Sequence, residues 1–468
     1  MRSRPRRRRT VLPTEVGCNL TPMSSAISRR RLLKKAAAAG SAALAAPGAV
    51  VLGQSRPSQP SRKFRAWVSR GTGTGRTTLQ ELTQRPISGR QVVVRTEATN
   101  LCYSNTTTVL GLPGMFAGPM TRMAIIDGHG GVGVVEAVGP EVRRVQVGDR
   151  VCVSGTPQCG NCYQCLRGRA DMCQFLGRQG PNDLVPIADM RDGTPVYASS
   201  HIGGLAELMV TFEEWVVPVF TKASAVELGM VCSCVAVAGL GTATSQALAS
   251  IAPGSIAAVV GCGPLGLSAV QGARIAGASR IIAIDPIKTR RDLALKVGAT
   301  DVLDPNVEGD KLVARVREMT STPNNRLWSG GRDSGGLLGG SGADFVIEGV
   351  GADRAKPKVE AGPDPTGVLP MRQAYEMCAP GGHVITTSLP NGTISFPAVF
   401  FAIGGRTHHA GQCGGANPMR DIPRFVAMLD AGQYNAKALA TTVVPIERML
   451  EAYEEVVYRT TVTAIMTA

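Results

Sequence analysis

The sequence predicts an α/β chain of two domains, one of them built on a doubly wound parallel sheet, and three observations carry that prediction. The 468 residues, 44% of them hydrophobic, suffice for two ordinary cores. In "IAAVVGCGPLGLSAVQGARIAGASRIIAID" (256–285) an apolar run, a glycine-rich turn, an amphipathic stretch and a second apolar run ending in an acid follow one another. About a hundred residues earlier, four cysteines crowd into "CGNCYQCLRGRADMC" (159–173), the signature of a separate metal-bearing module.

The N-terminal region stands apart by charge. Residues 1–63 carry 14 of the 50 Lys and Arg against a single acid, Glu15, whereas the remainder has 36 bases against 34 acids. The net charge of +15 therefore resides almost entirely in a leader and linker, and the nearly neutral body has no basic groove for nucleic acid. Aromatic content of 4% also argues against stacking platforms for single strands. No charge-free apolar run reaches the length of a stable membrane span.

Within the leader, "SRRRLLKK" (28–35) followed by a mildly apolar Ala-rich stretch resembles a twin-arginine export signal over about residues 23–50, with small-residue cleavage sites near Ala43 to Ala46. Met23 is the expected start, because translation from Met1 makes such a signal unusually long. The expectation is export to the periplasm or beyond with the twin-arginine translocase as transient partner, and a cytoplasmic protein if the leader is unused. This route carries folded proteins, so a cofactor is inserted beforehand.

Cys159, Cys162, Cys165 and Cys173 form a C-x2-C-x2-C-x7-C array. Such short spacings strain disulfide geometry but let four thiolates close a tetrahedral shell around zinc, which leaves no open position and makes the site structural.

The stretch 256–285 reads as strand Ile256–Val260, turn, helix and strand Arg280–Ile284. Gly261, Gly263 and Gly266, with Pro264 and Leu265 between them, make a G-x-G-x-x-G turn whose backbone admits a pyrophosphate at a helix N-terminus. Asp285 follows Gly266 by 19 residues, the place of a carboxylate that accepts from ribose hydroxyls and repels the extra phosphate of NADP, so the predicted cofactor is NAD. Helix and strand then alternate through "LALKVGATDVLD", "GADFVIEGVG" and "GGHVITTSLP". Two Gly-, Pro- and polar-rich stretches, 321–342 and 351–368, read as surface insertions or mobile loops, with lids or subunit contacts as the alternative. At "AIGGRTHHAGQCGG" the chain is expected to leave this domain, and His408, His409 and Cys413 are not expected to bind metal, since adjacent histidines diverge in a strand.

"TPQCGNCYQC" with Cys173, "GHGGVGVVEAVG", "VQVGDRV" and the glycine turn together resemble the zinc-dependent medium-chain alcohol dehydrogenases from about residue 64 to the C-terminus. The resemblance implies a GroES-like, mainly-β catalytic domain over 64–235, a Rossmann NAD-binding domain over 236–405 and a return over 406–468 that completes the catalytic domain. It also implies a second, catalytic zinc held by Cys102, His129 and Cys234, with a position open for an alcohol, and Ser104 as the hydroxyl relaying the alcohol proton. Cys234 is preferred to Cys232 by its distance before "GLG", and Cys232 is read as buried packing. Glu348 and Val350 become neighbours of the nicotinamide, and a homodimer or homotetramer is implied.

Three positions depart from the family pattern. Gly130 replaces a glutamate near the catalytic zinc, Tyr103 replaces a base near the cofactor pyrophosphate, and Thr107 lies where some relatives have a relay histidine, so proton release is expected by a shorter route. The stretch between Cys102 and His129 is also long, with "GLPGMFAGPM" expected to shape the pocket mouth.

The resulting expectation is reversible oxidation of primary or secondary alcohols by hydride transfer to NAD, with two zincs per chain. Two alternatives stand beside it. One is an exported oxidoreductase or dismutase that retains its NAD(H), since free NAD is scarce outside the cytoplasm; the other is a zinc- and NAD-binding sensor with a degenerate centre.

Overall fold

The computed structural model describes residues 61–71, 75–112, 122–178, 182–232, 234–245, 248–321 and 341–468, all within one compact unit. The predicted export leader, most of the stretch 321–342 and most of "GLPGMFAGPM" lie outside the described residues.

The nucleotide domain is a six-stranded parallel sheet. Its spatial order is Asp301–Leu303, Arg280–Ile284, Ile256–Val260, Ala343–Glu348, Cys378–Thr386 and Thr407–Ala410, which is 3-2-1-4-5-6 in chain order. Ile256–Val260 is buried along its whole length between helix layers, as a continuous run of Ile, Ala and Val dictates. The strand hands over to helix Pro264–Ile275 through Gly261, whose φ of +90° is open to glycine at little cost. The turn is so tight that a Cβ on Gly266 would lie 1.8 Å from the Gly261 carbonyl oxygen. Pro264 opens the helix, where its missing N–H costs nothing. The predicted strands Ile256–Val260 and Arg280–Ile284 match in both bounds. One boundary differs: Thr407–Ala410 pairs with Cys378–Thr386 as the sixth parallel strand, so the nucleotide sheet extends past residue 405.

The catalytic domain is GroES-like and mainly β. Lys63–Ser69, Thr77–Gln84, Pro186–Asp189, Pro195–Ala198 and Ala124–Ile126 close a barrel. A second sheet centres on Gln91–Leu101, which pairs with Gly131–Val138 on one side and, on the other, with the C-terminal strand Ala464–Thr467. The chain thus returns to finish this domain, as expected. Helices Ala225–Cys232 and Cys234–Thr244 link the two halves and are largely buried, the latter against Pro264–Ile275. Among the described residues no single helix is long and apolar enough to cross a membrane.

His201 closes one corner of this domain. Its Nε2 donates to the Arg178 carbonyl at 2.6 Å, and its ring packs 5.4 Å from Phe212 and 5.2 Å from Trp215 between centroids. Burial holds its pKa below the ordinary 6.5. The unfolded chain therefore binds the proton first, and stability should fall as pH drops through that value. Urea unfolding at about pH 5 and about pH 8 should show this loss, and His201→Gln should flatten it.

Candidate active site and metal centres

Three chain segments converge at the seam of the two domains. Cys102 follows strand Gln91–Leu101, His129 lies just ahead of strand Gly131–Val138, and Cys234 is the first residue of helix Cys234–Thr244. Their Sγ and imidazole nitrogen atoms all lie within 4.8 Å of one another. His129 Nε2 is 2.8 Å from Cys234 Sγ, and Ser104 Oγ donates to Cys102 Sγ at 3.3 Å. All three ligating side chains are half-buried.

The electrostatics of this cluster suit a soft divalent cation. The Cys102 thiol is held well below its ordinary range by the hydrogen bond with Cys234 and, against the effect of burial, by the charge of His129. Burial opposes protonation of His129, but the Cys102 thiolate raises it above the ordinary value. Cys234 is pushed well up by its hydrogen bond with Cys102 and by burial. A thiolate, an imidazole and a thiol that must lose its proton form a three-ligand set of the kind zinc takes in sites with an open fourth position.

A buried acid that sequence reasoning missed supports the cluster. Asp127 Oδ1 accepts from Asn105 Nδ2 and from the Gly128 amide, both at 2.8 Å. Its Oδ2 is buried without a hydrogen-bond partner among the described residues. Burial raises its pKa, countered by the Gly128 amide and the charge of His129. With no side chain at Gly130, the acid at this histidine comes from two residues upstream. The "DGH" triplet was the available signal. The Thr107 hydroxyl is buried with no partner among the described residues, and it is not among the residues lining the cleft described below.

The four-cysteine lobe is a chain of short turns around a common centre. All four sulfurs lie within 4.8 Å of one another, and none of these cysteines is in a disulfide. The amides of Cys159, Cys162 and Cys165 donate to Cys173, Cys159 and Cys162 Sγ at 3.4, 3.4 and 3.5 Å. Burial works against ionising Cys162, yet the amides of Gln174 and Cys165 bring its pKa down to about 6. Four sulfurs at this separation fit a closed tetrahedral zinc shell. Cys232, by contrast, is fully buried and directs its thiol to the Gly229 carbonyl, as packing requires.

One cleft joins the parts. Cys102, Ser104 and Cys234 line it together with Gly261, Gly263, Pro264, Leu265, Asp285 and Val350. Gly266 is buried behind the turn. The Asp285 carboxylate accepts from the Cys262 and Ile287 amides at 2.7 and 2.8 Å, which fixes its orientation at the strand end. Glu348 does not line the cleft, contrary to expectation. It is fully buried and accepts from the Val350 amide at 2.7 Å and Ser388 Oγ at 2.6 Å, bracing the loop that presents Val350. His408 and His409 diverge as predicted, toward Thr386 Oγ1 and His383 Nδ1, at 3.0 and 3.1 Å.

This architecture defines a class. Residues 88–221 match the alcohol dehydrogenase GroES-like domain and residues 264–430 the zinc-binding dehydrogenase domain. The chain belongs to the zinc-type medium-chain alcohol dehydrogenase family. Among its relatives, a putative alcohol dehydrogenase D of Mycobacterium tuberculosis is 29% identical over 372 residues, covering 78% of this chain and 89% of the relative. An NDMA-dependent alcohol dehydrogenase of Amycolatopsis methanolica is 28% identical over 375 residues, covering 78% and 88%. A benzyl alcohol dehydrogenase of Acinetobacter calcoaceticus shares the fold with a TM-score of 0.70 at 24% identity, covering 87% of this chain and 99% of that one.

Cys173→Ser should lower the zinc content by about one equivalent per chain and reduce thermal stability, because the lobe has little apolar packing to replace the metal. Metal analysis with a parallel melting curve checks both.

Proposed function

We propose that this protein oxidises primary or secondary alcohols, reversibly, to aldehydes or ketones with NAD as hydride acceptor and two zinc ions per chain, one catalytic and one structural. The observation that carries the reading is the shared cleft: Cys102, Ser104 and Cys234 face the same space as the Gly261–Gly263 turn and Asp285. The alcohol dehydrogenases among the relatives support the reaction class.

When bound, zinc supplies Lewis acidity and the dinucleotide the hydride-accepting ring. Cys102, His129 and Cys234 would hold the metal, and Cys102 and Cys234 line the cleft. Ser104 Oγ, at the cleft wall, both donates and accepts, and so hands the alcohol proton onward. Asp127, held by Asn105 and the Gly128 amide, would brace the loop that carries His129. Amides at the start of helix Pro264–Ile275 would receive the pyrophosphate, and Asp285 would accept from ribose hydroxyls. Val350 flanks the nicotinamide end. The assembled three-donor cluster with Ser104 beside it favours an enzyme over a sensor.

The leader motif supports export in the folded state by the twin-arginine route, and such an enzyme would have to keep its dinucleotide. One relative is described as NDMA-dependent, so NDMA belongs in the assay beside free NAD.

In purified wild type, metal analysis should find about two zincs per chain, and an alcohol panel should give alcohol-dependent reduction of NAD or NDMA. Cys102→Ser with Cys234→Ser should leave about one zinc and lower kcat by roughly a thousandfold or more. A single zinc that survives both substitutions, with no alcohol-dependent turnover, would overturn the proposal.

A further inference from the structure

The stretch 351–368, expected to be a surface insertion or mobile loop with a lid as the alternative, is a surface insertion that crosses the mouth of the cleft. Its two ends touch, since a Cβ on Gly367 would lie 2.6 Å from the Gly351 carbonyl carbon, and the Asp353 amide donates to the Pro365 carbonyl at 2.8 Å. Between these ends the chain forms a closed loop of the Ω type.

The loop is fastened at both ends of the cleft. On the catalytic side, the Arg354 amide donates to Tyr103 Oη at 2.8 Å, next to Cys102. Asp353 pairs with Arg459, whose guanidinium carbon lies 5.7 Å from the Tyr103 ring centroid. The Lys358 amide donates to the Tyr458 carbonyl at 3.1 Å, and its Nζ sits 3.8 Å from the centroid of the Tyr458 ring. On the far side, next to Asp285, Asn306 Nδ2 donates to the Ala361 carbonyl at 3.0 Å. A Cβ on Gly362 would be 3.7 Å from Pro286 Cγ. The loop therefore runs from the metal-binding end of the cleft to its ribose end, and Arg354, Gly362 and Pro363 line the same space as Cys102 and Asp285.

A second observation points to what lies under the loop. Arg354 Nε is buried without a hydrogen-bond partner among the described residues, in a cleft whose wall it forms. A guanidinium with a buried, unused donor calls for an anion. The Arg354 backbone amide is fastened to Tyr103, the position that lacks the basic side chain of relatives, and its side chain lines the same cleft as the Gly261–Gly263 turn.

We propose that residues 351–368 are a retention strap that closes over the dinucleotide, with Arg354 as the strap's cation to the pyrophosphate, so that the cofactor stays bound through successive turnovers. The proposal rests on the reading of the cleft as a dinucleotide site. Release requires the fastenings at Tyr103, Tyr458 and Arg459 to open together, so the strap acts on the dissociation rate. A strap of this kind makes reoxidation in place, by a second carbonyl substrate or an electron acceptor, the natural way to complete a cycle.

The test uses the full-length, zinc-loaded protein. Extraction after gel filtration should recover about one dinucleotide per chain from wild type, and NADH release, followed by fluorescence on dilution into excess NAD, should be slow. Arg354→Ala should accelerate release roughly tenfold, and Lys358→Ala should accelerate it in the same direction by less. A variant with residues 354–364 replaced by a short Gly-Ser link, across the gap that the Asp353 to Pro365 contact already spans, should release roughly a hundredfold faster. If that variant does not fold, the two point variants decide. Release rates within about twofold of wild type in every folded variant overturn the strap and leave the dinucleotide site standing. Failure of wild type to bind NADH or NADPH at all overturns both.

Discussion

The contact between His129 Nε2 and Cys234 Sγ, 2.8 Å long, is the interaction on which the rest of the site depends. It joins a loop of the catalytic domain to the first residue of a helix that packs against the nucleotide-binding helix. Around it stand a thiolate, a protonatable ring and a buried carboxylate. Isolated buried charges of this kind are costly, and the set becomes self-consistent only as a pair-compensated cluster or around a cation. The strand carrying Cys102 is paired with the C-terminal strand, so the end of the chain supports the metal site at its start.

That seam also explains the division of labour in the cleft. The catalytic domain contributes sulfur, imidazole and the Ser104 hydroxyl, all soft or proton-bearing groups suited to a metal and an alcohol. The nucleotide domain contributes backbone amides and one oriented acid, suited to phosphate and ribose. Where the usual base is replaced by Tyr103, the Arg459 guanidinium lies over the Tyr103 ring and Arg354 of the insertion lines the same cleft. A long insertion is tolerated here because its ends already meet, and the entropy of closing a loop rises only slowly with length.

Much of this was legible in the residues themselves. The β-α-β unit was readable because a wholly apolar strand, three glycines and a terminal acid each have a local cause, and local causes survive folding. The cysteine array was readable because its spacing alone brings the sulfurs together. Glu348 was misplaced because it is the buried last residue of strand Ala343–Glu348, whereas Val350 lies in the loop beyond, and only the folded loop shows that Val350 reaches the cleft while Glu348 binds its amide from behind. The strand Thr407–Ala410 was expected beyond the nucleotide domain because its four residues carry no signal of a partner, and its place is granted by the sheet edge that it joins.

The sequence by itself determined the fold class, the four-cysteine lobe, the glycine turn with Asp285 and, through resemblance, the three residues that cluster as the second candidate metal site. These are properties of spacing and residue type. Only the tertiary structure decided that Tyr103 is a docking point for an insertion and that residues 351–368 lie across the cleft. Each of those depends on contacts between segments far apart in the chain, and such contacts arise from packing that no local pattern encodes.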